Sequence, residues 1–239
     1  VKVTLFIPCL VDQTAPQTAR AIVTLLERLG HTTHYPLEQT CCGQALFNMG
    51  FRAEARDLAI RFIRIFAGAE VVVAPSGSCV AMVTKHYHEL DLPAAEHKEW
   101  LSLKDRTWEL TSFLVDKLKL TDVGASFPHT VTYHASCHHL RDLGLHYQPL
   151  ALLRNVKGLT LVQGNWGDEC CGFGGGFSVK YPELSHRIAD RRATALLSGG
   201  AEFVTGADDS CLHNLGLAFR RANSTIKTIH IARILAGQE

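Results

Sequence analysis

The chain has 239 residues, and 24 Lys plus Arg nearly balance 23 Asp plus Glu, for a formal net charge of +1. That balance excludes the strongly basic face of a nucleic-acid binder and the polybasic patch of a membrane-surface protein. Apolar residues make up 46% and charged residues 20%, the composition of an ordinary globular chain, and no apolar run approaches the roughly 18–20 residues of a spanning helix. The opening Val1–Cys9 run is short and β-branched and lacks a small-residue cleavage site, so a cytoplasmic protein is expected.

In chain order, residues 2–7 form an apolar, β-branched run that predicts a buried strand ending at Pro8-Cys9. Asp12 or Thr14 is expected to cap the next helix, with Pro16 in its first turn. Ala19, Ile22, Val23, Leu26 and Leu29 recur at helical spacing up to Gly30. His31–Pro36 predicts a second strand, followed by Cys41-Cys42-Gly43. A helix is expected over 51–67 and a strand over Val71–Val73, with Cys79 just beyond. Further helices are expected between 80 and 128, including one around His86–Leu90 and one from Trp108 to Leu120. Thr121–Pro128 reads as a linker.

The second half repeats the plan. A strand over Thr130–His134 leads to Cys137, a helix over 148–156 to a strand over Leu159–Val162. The turn Gly164–Glu169 then brings the chain to Cys170-Cys171-Gly172. A helix is predicted over 182–198 and a strand over Phe203–Thr205 before Cys211, with a short strand and helix in the tail from Ile229 to Ala236. Strands alternating with helices imply parallel sheets with right-handed crossovers. The expected fold is therefore α/β: two pseudo-symmetric Rossmann-like units, residues 1–125 and 126–239, with short parallel sheets. Their cysteines lie at the C-terminal strand edges, where open parallel sheets bind ligands.

All eight cysteines fall into two sets of like order: Cys9, Cys41, Cys42 and Cys79, then Cys137, Cys170, Cys171 and Cys211. The upstream gaps are 32 and 33 positions and the downstream gaps 37 and 40. Scattered core thiols would not repeat in order, and a cytoplasmic chain favours metal or redox chemistry over a disulfide framework. Thiolates are soft ligands that select iron–sulfur clusters, zinc or copper(I). Adjacent cysteines reach one centre only through a tight turn, which Gly43 and Gly172 permit. Structural zinc sites usually draw on close C-x2–4-C pairs, and neither half has one, so iron–sulfur chemistry is favoured while zinc at one or both sites stays open. Vicinal disulfides at the two pairs are a further alternative.

The run Gly172–Phe177 lacks the G-x-G-x-x-G order of a dinucleotide loop and instead leaves N–H groups able to approach bridging sulfides. His134, His138 and His139 around Cys137 are expected to cap or support the site, not to ligate. His31, His34, His86, His88 and His97 read as surface or core residues. Asp168-Glu169 and Asp208-Asp209 read as turn formers or proton donors.

The doubled motif resembles the CCG, or cysteine-rich domain, family of iron–sulfur oxidoreductase subunits, to which heterodisulfide reductase contributes a member. Pro75-Ser76-Gly77-Ser78-Cys79, Tyr133-His134-x-Ser136-Cys137-His138 and His230-Ile231-Ala232 are most similar to its lactate-utilisation members. The resemblance covers nearly the whole chain. It implies an electron-transfer subunit of an L-lactate-oxidising complex, with the eight cysteines holding iron–sulfur clusters of the 4Fe-4S type. It also implies lactate utilisation B- and C-like partners, the former of ferredoxin type. In heterodisulfide reductase each repeat carries a fifth cysteine. Here Met82 and Asn214 stand three residues past Cys79 and Cys211, which leaves four thiolates per half, with Met82 a weak thioether candidate at most. A thiol–disulfide reductase and a non-catalytic zinc-bound assembly module are the alternative functions.

Overall fold

Short β-branched runs alternate with amphipathic helices, and each run becomes a strand of a parallel sheet. The computed structural model describes residues 1–162 and 169–238. In the first half, β1 (Lys2–Leu5), β2 (Thr32–His34), β3 (Val71–Ala74) and β4 (Thr107–Glu109) pair in the order β2-β1-β3-β4. In the second, β5 (Thr130–Tyr133), β6 (Thr160–Leu161), β7 (Phe203–Gly206) and β8 (Lys227–His230) pair as β6-β5-β7-β8. Every pair is parallel, and the central registers correspond: Leu5 lies opposite Val73, and Tyr133 opposite Thr205. The expected α/β architecture of two Rossmann-like units is thus present.

The first-half helices are α1 (Cys9–Thr14), α2 (Pro16–Arg28), α3 (Gln44–Asn48), α4 (Arg52–Phe66), α5 (Gly77–Ala81), α6 (Ala94–Lys104) and α7 (Leu110–Ser112). Those of the second half are α8 (Tyr147–Arg154), α9 (Gly176–Lys180), α10 (Pro182–Leu197), α11 (Asp209–Arg221) and α12 (Ile231–Ala236). π-Helical turns continue α5 over Met82–His86 and α7 over Phe113–Lys117, and a third, His138–Asp142, follows Cys137.

Three expectations are corrected. Neither Asp12 nor Thr14 caps a long helix, because Cys9 itself opens α1 and the chain breaks at Ala15 (φ −141°) before Pro16 starts α2. Trp108 is not helical: Thr107-Trp108-Glu109 is a β-branched and aromatic edge strand on β3, and helical structure begins only at Leu110. Cys79 and Cys211 lie just past β3 and β7, within the first turns of α5 and α11. Helix α11 falls where no helix is expected, although Leu212, Leu215, Ala218 and Phe219 mark its buried face at helical spacing. The turn residues Gly164 to Asp168 lie outside the described residues.

The largest core cluster draws on both halves. Ala21, Ile22, Leu25 and Leu26 of α2 share it with Ile231, Ile234 and Leu235 of α12. Arg28 ties this helix pair together, its guanidinium donating to the carbonyls of Val123, Leu235 and Ala236. The last two carbonyls are at the end of α12, where helical backbone lacks its own donors. Among the described residues, no helix is long and apolar enough to cross a membrane. A cavity at fully buried Ile234 loosens both halves, so Ile234→Ala is expected to cost about 2–5 kcal/mol. Urea unfolding followed by circular dichroism should still show a single transition, shifted to lower denaturant.

Candidate metal centre

The strands aim the sulfurs, and the two Cys-Cys-Gly turns close each set. Pro8-Cys9 follows β1, and Cys137 follows β5 by the same interval; Cys79 and Cys211 follow β3 and β7. The approach to the first Cys-Cys-Gly turn is pinned by Gln39. Its amide donates to the Leu5 carbonyl and accepts from Ile7 N–H, at 3.0 and 2.7 Å. Gly43 and Gly172 then take positive φ, 86° and 80°. Each also faces a helix closely. A Cβ on Gly43 would stand 3.1 Å from the Ala55 carbonyl oxygen of α4, and one on Gly172 only 2.5 Å from that of Ser185 on α10. Glycine is needed here on both counts.

Within each half the thiols form an unbroken line of contacts. Cys41 hydrogen-bonds Cys9 on one side and Cys42 on the other, and Cys42 hydrogen-bonds Cys79. Cys137, Cys170, Cys171 and Cys211 repeat this line, with Cys171 and Cys211 sulfurs 2.9 Å apart. In both halves the N–H after the pair, of Gly43 and of Gly172, donates at 3.3 Å to the first cysteine of the pair. The second cysteine's carbonyl is held by a side chain, Tyr87 hydroxyl to Cys42 at 3.0 Å and Asn214 amide to Cys171 at 2.8 Å.

This crowding sorts the protons. Hydrogen bonds from Cys42 and Cys9, aided by the Gly43 N–H, hold Cys41 down at about 3. Those from Cys137 and Cys171 hold Cys170 at about 2. Cys9 and Cys137 are pushed up by donating to those thiolates and by burial. Cys42 and Cys171 are raised for the same two reasons, each donating to its neighbours. For Cys211 the bond with Cys171 pulls down, but burial and Asp208 win and the thiol is raised.

All eight predicted cysteines line one cavity of about 300 Å³ between the two sheets' C-terminal edges. Gln44, Asn48, Ser78, His138 and the Gly174–Gly176 run are among the other residues of its wall. The glycine run comes from the second half but packs on α3 of the first: a Cβ on Gly176 would run into Met49. Met82 stays in the core with Phe62 and Tyr87 and does not reach the cavity. Asn214 serves the Cys171 carbonyl. Each half therefore offers four thiolates.

Several polar residues at the site carry more weight than their sequence context suggests. Buried Asp208 accepts from Ser76 hydroxyl at 2.8 Å and from Ser78 hydroxyl and N–H at 2.9 and 3.1 Å, all across the join between the halves. Its other oxygen accepts from Ser136 at 2.5 Å. The legible signal is positional: Ser76 and Asp208 each stand three residues before a buried cysteine, where a helix begins. Asp209 lies at the cavity edge, its carboxyl raised mainly by burial.

The three histidines diverge. His139 is buried 3.2 Å from Glu109 of the first half. Burial is the largest single influence and pulls its pKa down, but Glu109, Asp208 and the Leu145 carbonyl together raise it on balance. His138 pairs with Asp142 at 2.5 Å at the cavity wall, and His86 stands 3.6 Å from the same carboxylate. His134 is buried beside Cys171 and Cys211, its Nδ1 accepting from Arg192 at 3.2 Å. Burial first, and Arg192 second, lower it to about 3.

The donor set fits a metal or metal–sulfur cluster. Each half brings four soft ligands together, one already a thiolate, in a pocket whose glycine backbone admits a bulky group. Twin parallel sheets carrying twin cysteine sets define a duplicated cysteine-rich domain. The CCG family, described as "Cysteine-rich domain", matches residues 3–84 and 131–216, and the chain belongs to it. It is 45% identical over 235 residues to "Lactate utilization protein A" of Exiguobacterium sp. (strain ATCC BAA-1283 / AT1b), covering 98% of this chain and 96% of that one. It is 44% identical over 234 residues to the protein of the same name from Geobacillus kaustophilus (strain HTA426), covering 98% of each. Among solved structures, a hypothetical protein from Helicobacter pylori superposes with a TM-score of 0.67 at 10% identity. That match takes in 100% of this chain, which spans about half (49%) of the other, and it speaks to the fold alone.

Two outcomes are expected. Gly43→Ala should cost about 1–2 kcal/mol for the left-handed backbone, and Gly172→Ala more, because its Cβ also meets Ser185; urea denaturation compares them. In reduced, metal-free protein, Cys41 and Cys170 sit well below the usual thiol range and remain thiolates from pH 5 to 8. Their alkylation by iodoacetamide, followed by peptide mass spectrometry, should therefore be nearly flat over that interval. Cys42 and Cys171, raised and buried, should react last.

Proposed function

We propose that the chain is an iron–sulfur electron-transfer subunit of a system that oxidises L-lactate to pyruvate. The observation that carries this reading is the meeting of two four-thiolate sets on one cavity. Four cysteines are the usual complement of a 4Fe-4S cluster. Each CCG repeat, 1–125 and 126–239, would contribute one centre, held by Cys9, Cys41, Cys42 and Cys79 in the first and by Cys137, Cys170, Cys171 and Cys211 in the second. The lactate assignment is supported by the names of relatives matched along almost the full chain.

The chemistry supplied by such centres is reversible one-electron storage. Oxidation of lactate releases two electrons and two protons, and two centres in one chain suit that count. The protein's own residues set the conditions. The Gly43 and Gly172 N–H groups donate to thiolate sulfur and offset its charge. Buried Val11 and half-buried Phe173 in the wall limit water. Asp208 fixes the two cysteine edges against each other. Electrons would arrive and leave through partner proteins, a lactate utilisation B-like protein of ferredoxin type and a C-like protein.

The chain purified without oxygen is expected to hold iron and acid-labile sulfide. With its B- and C-like partners present, L-lactate should bleach its visible absorbance. Stoichiometric zinc without sulfide, or a loaded chain that lactate leaves oxidised in the presence of both partners, would refute the assignment.

A further inference from the structure

The two halves are close copies in backbone, so a position where they differ in chemistry stands out. Phe6 and His134 are equivalent. Each follows the central strand, each donates its N–H to the neighbouring strand (to Val73 at 3.0 Å and Thr205 at 2.7 Å), and each precedes its cysteine by three residues. Phe62 and Arg192 are likewise equivalent, because Gly43 packs on Ala55 as Gly172 packs on Ser185, seven residues earlier on each helix. In the first half the pair is an edge-on stack of rings with centroids 4.8 Å apart. In the second it is a hydrogen bond from Arg192 Nε to His134 Nδ1, with both side chains at 1% exposure or less.

That bond fixes the imidazole tautomer. A guanidinium only donates, so Nδ1 must be the acceptor and the ring proton must sit on Nε2. Nε2 is buried and has no hydrogen-bond partner among the described residues, and a ring nitrogen of His134 lies within 4.8 Å of the Cys171 and Cys211 sulfurs. A ring whose Nδ1 lone pair is taken by Arg192 could ligate through Nε2 only by losing its last proton. Beside those sulfurs the ring therefore brings an unpartnered N–H donor, not a ligand lone pair.

We propose that Arg192 and His134 form a relay, present in the second half alone, that aims an N–H at the Cys171–Cys211 side of the second centre and makes that centre the easier of the two to reduce. The inference rests on the iron–sulfur reading given above. A hydrogen bond to sulfur stabilises the more negative, reduced state and so raises the potential. Phe6 and Phe62 offer the first centre no such donor. Arg192 acts through His134 and is a positioning residue.

The test is a redox titration of the anaerobic, loaded full-length chain, followed by electron paramagnetic resonance. The wild type should show two separate one-electron steps. His134→Phe, which copies the first half, should move the upper step to lower potential and leave the other in place, with iron and sulfide content unchanged. His134→Gln retains an amide N–H and should recover part of the shift. A measurement on wild-type protein stands beside these variants: with 15N-labelled histidine, electron–nuclear double resonance should find a weak nitrogen coupling at one centre, as from a hydrogen-bonded ring. Equal response of both steps, no response of either, or a strong ligand-type nitrogen coupling would each overturn the relay while leaving the iron–sulfur assignment intact. A chain devoid of iron and sulfide would overturn both.

Discussion

The arrangement depends on one buried carboxylate. Asp208 opens α11 in the second half, yet of the four hydrogen bonds its carboxylate accepts among the described residues, three come from Ser76 and Ser78 of the first. The fourth comes from Ser136, beside Cys137. A buried charge is costly unless surrounded by donors, and removing the donors would leave it uncompensated. The carboxylate therefore holds three cysteine-bearing segments in one geometry: the Cys79, Cys137 and Cys211 segments cannot drift apart without exposing its charge to an apolar interior. The buried Glu109–His139 pair spans the same join a few residues away, and Gly77 lets the two helical turns approach, since a Cβ there would lie 2.8 Å from the His139 ring.

Duplication explains much of the rest. Two copies of a parallel sheet, each with cysteines beyond its strand ends, become useful when those ends face one another. The α2–α12 core and Arg28 supply the cohesion behind the sheets, while Asp208 and Glu109 supply the registry in front of them. The copies then diverged where the sulfur sets meet the core. The Cys42 carbonyl is held by Tyr87, the Cys171 carbonyl by Asn214, and an aromatic stack in one half is a hydrogen-bonded His–Arg pair in the other. The sulfur geometry is common to both; the electrostatic setting is not.

The parallel sheets are legible in the sequence because Val71–Val73 and Thr130–Tyr133 are unmistakable buried runs, and the site is legible because cysteine order repeats. Strand β4 is hidden by its length: Thr107–Glu109 acquires its identity only by pairing with β3. Helix α11 carries a readable apolar stripe that the nearby cysteine draws attention away from. Asp208 can be seen as a helix opener, but not as a clamp, because its partners lie 130 and 132 positions away in sequence. His134 looks like one of three interchangeable histidines. Only the fold shows that one faces sulfur, one faces Glu109 and one faces Asp142.

The central claim is that each half holds its own four-thiolate centre. Native mass spectrometry of anaerobically purified protein addresses it directly, with wild type compared to Cys42→Ala, Cys171→Ala and the double variant. The account predicts two cluster-sized mass increments in the wild type, one in either single variant and none in the double. A single increment in the wild type, lost in both single variants, would mean one centre shared across the cavity and would contradict it.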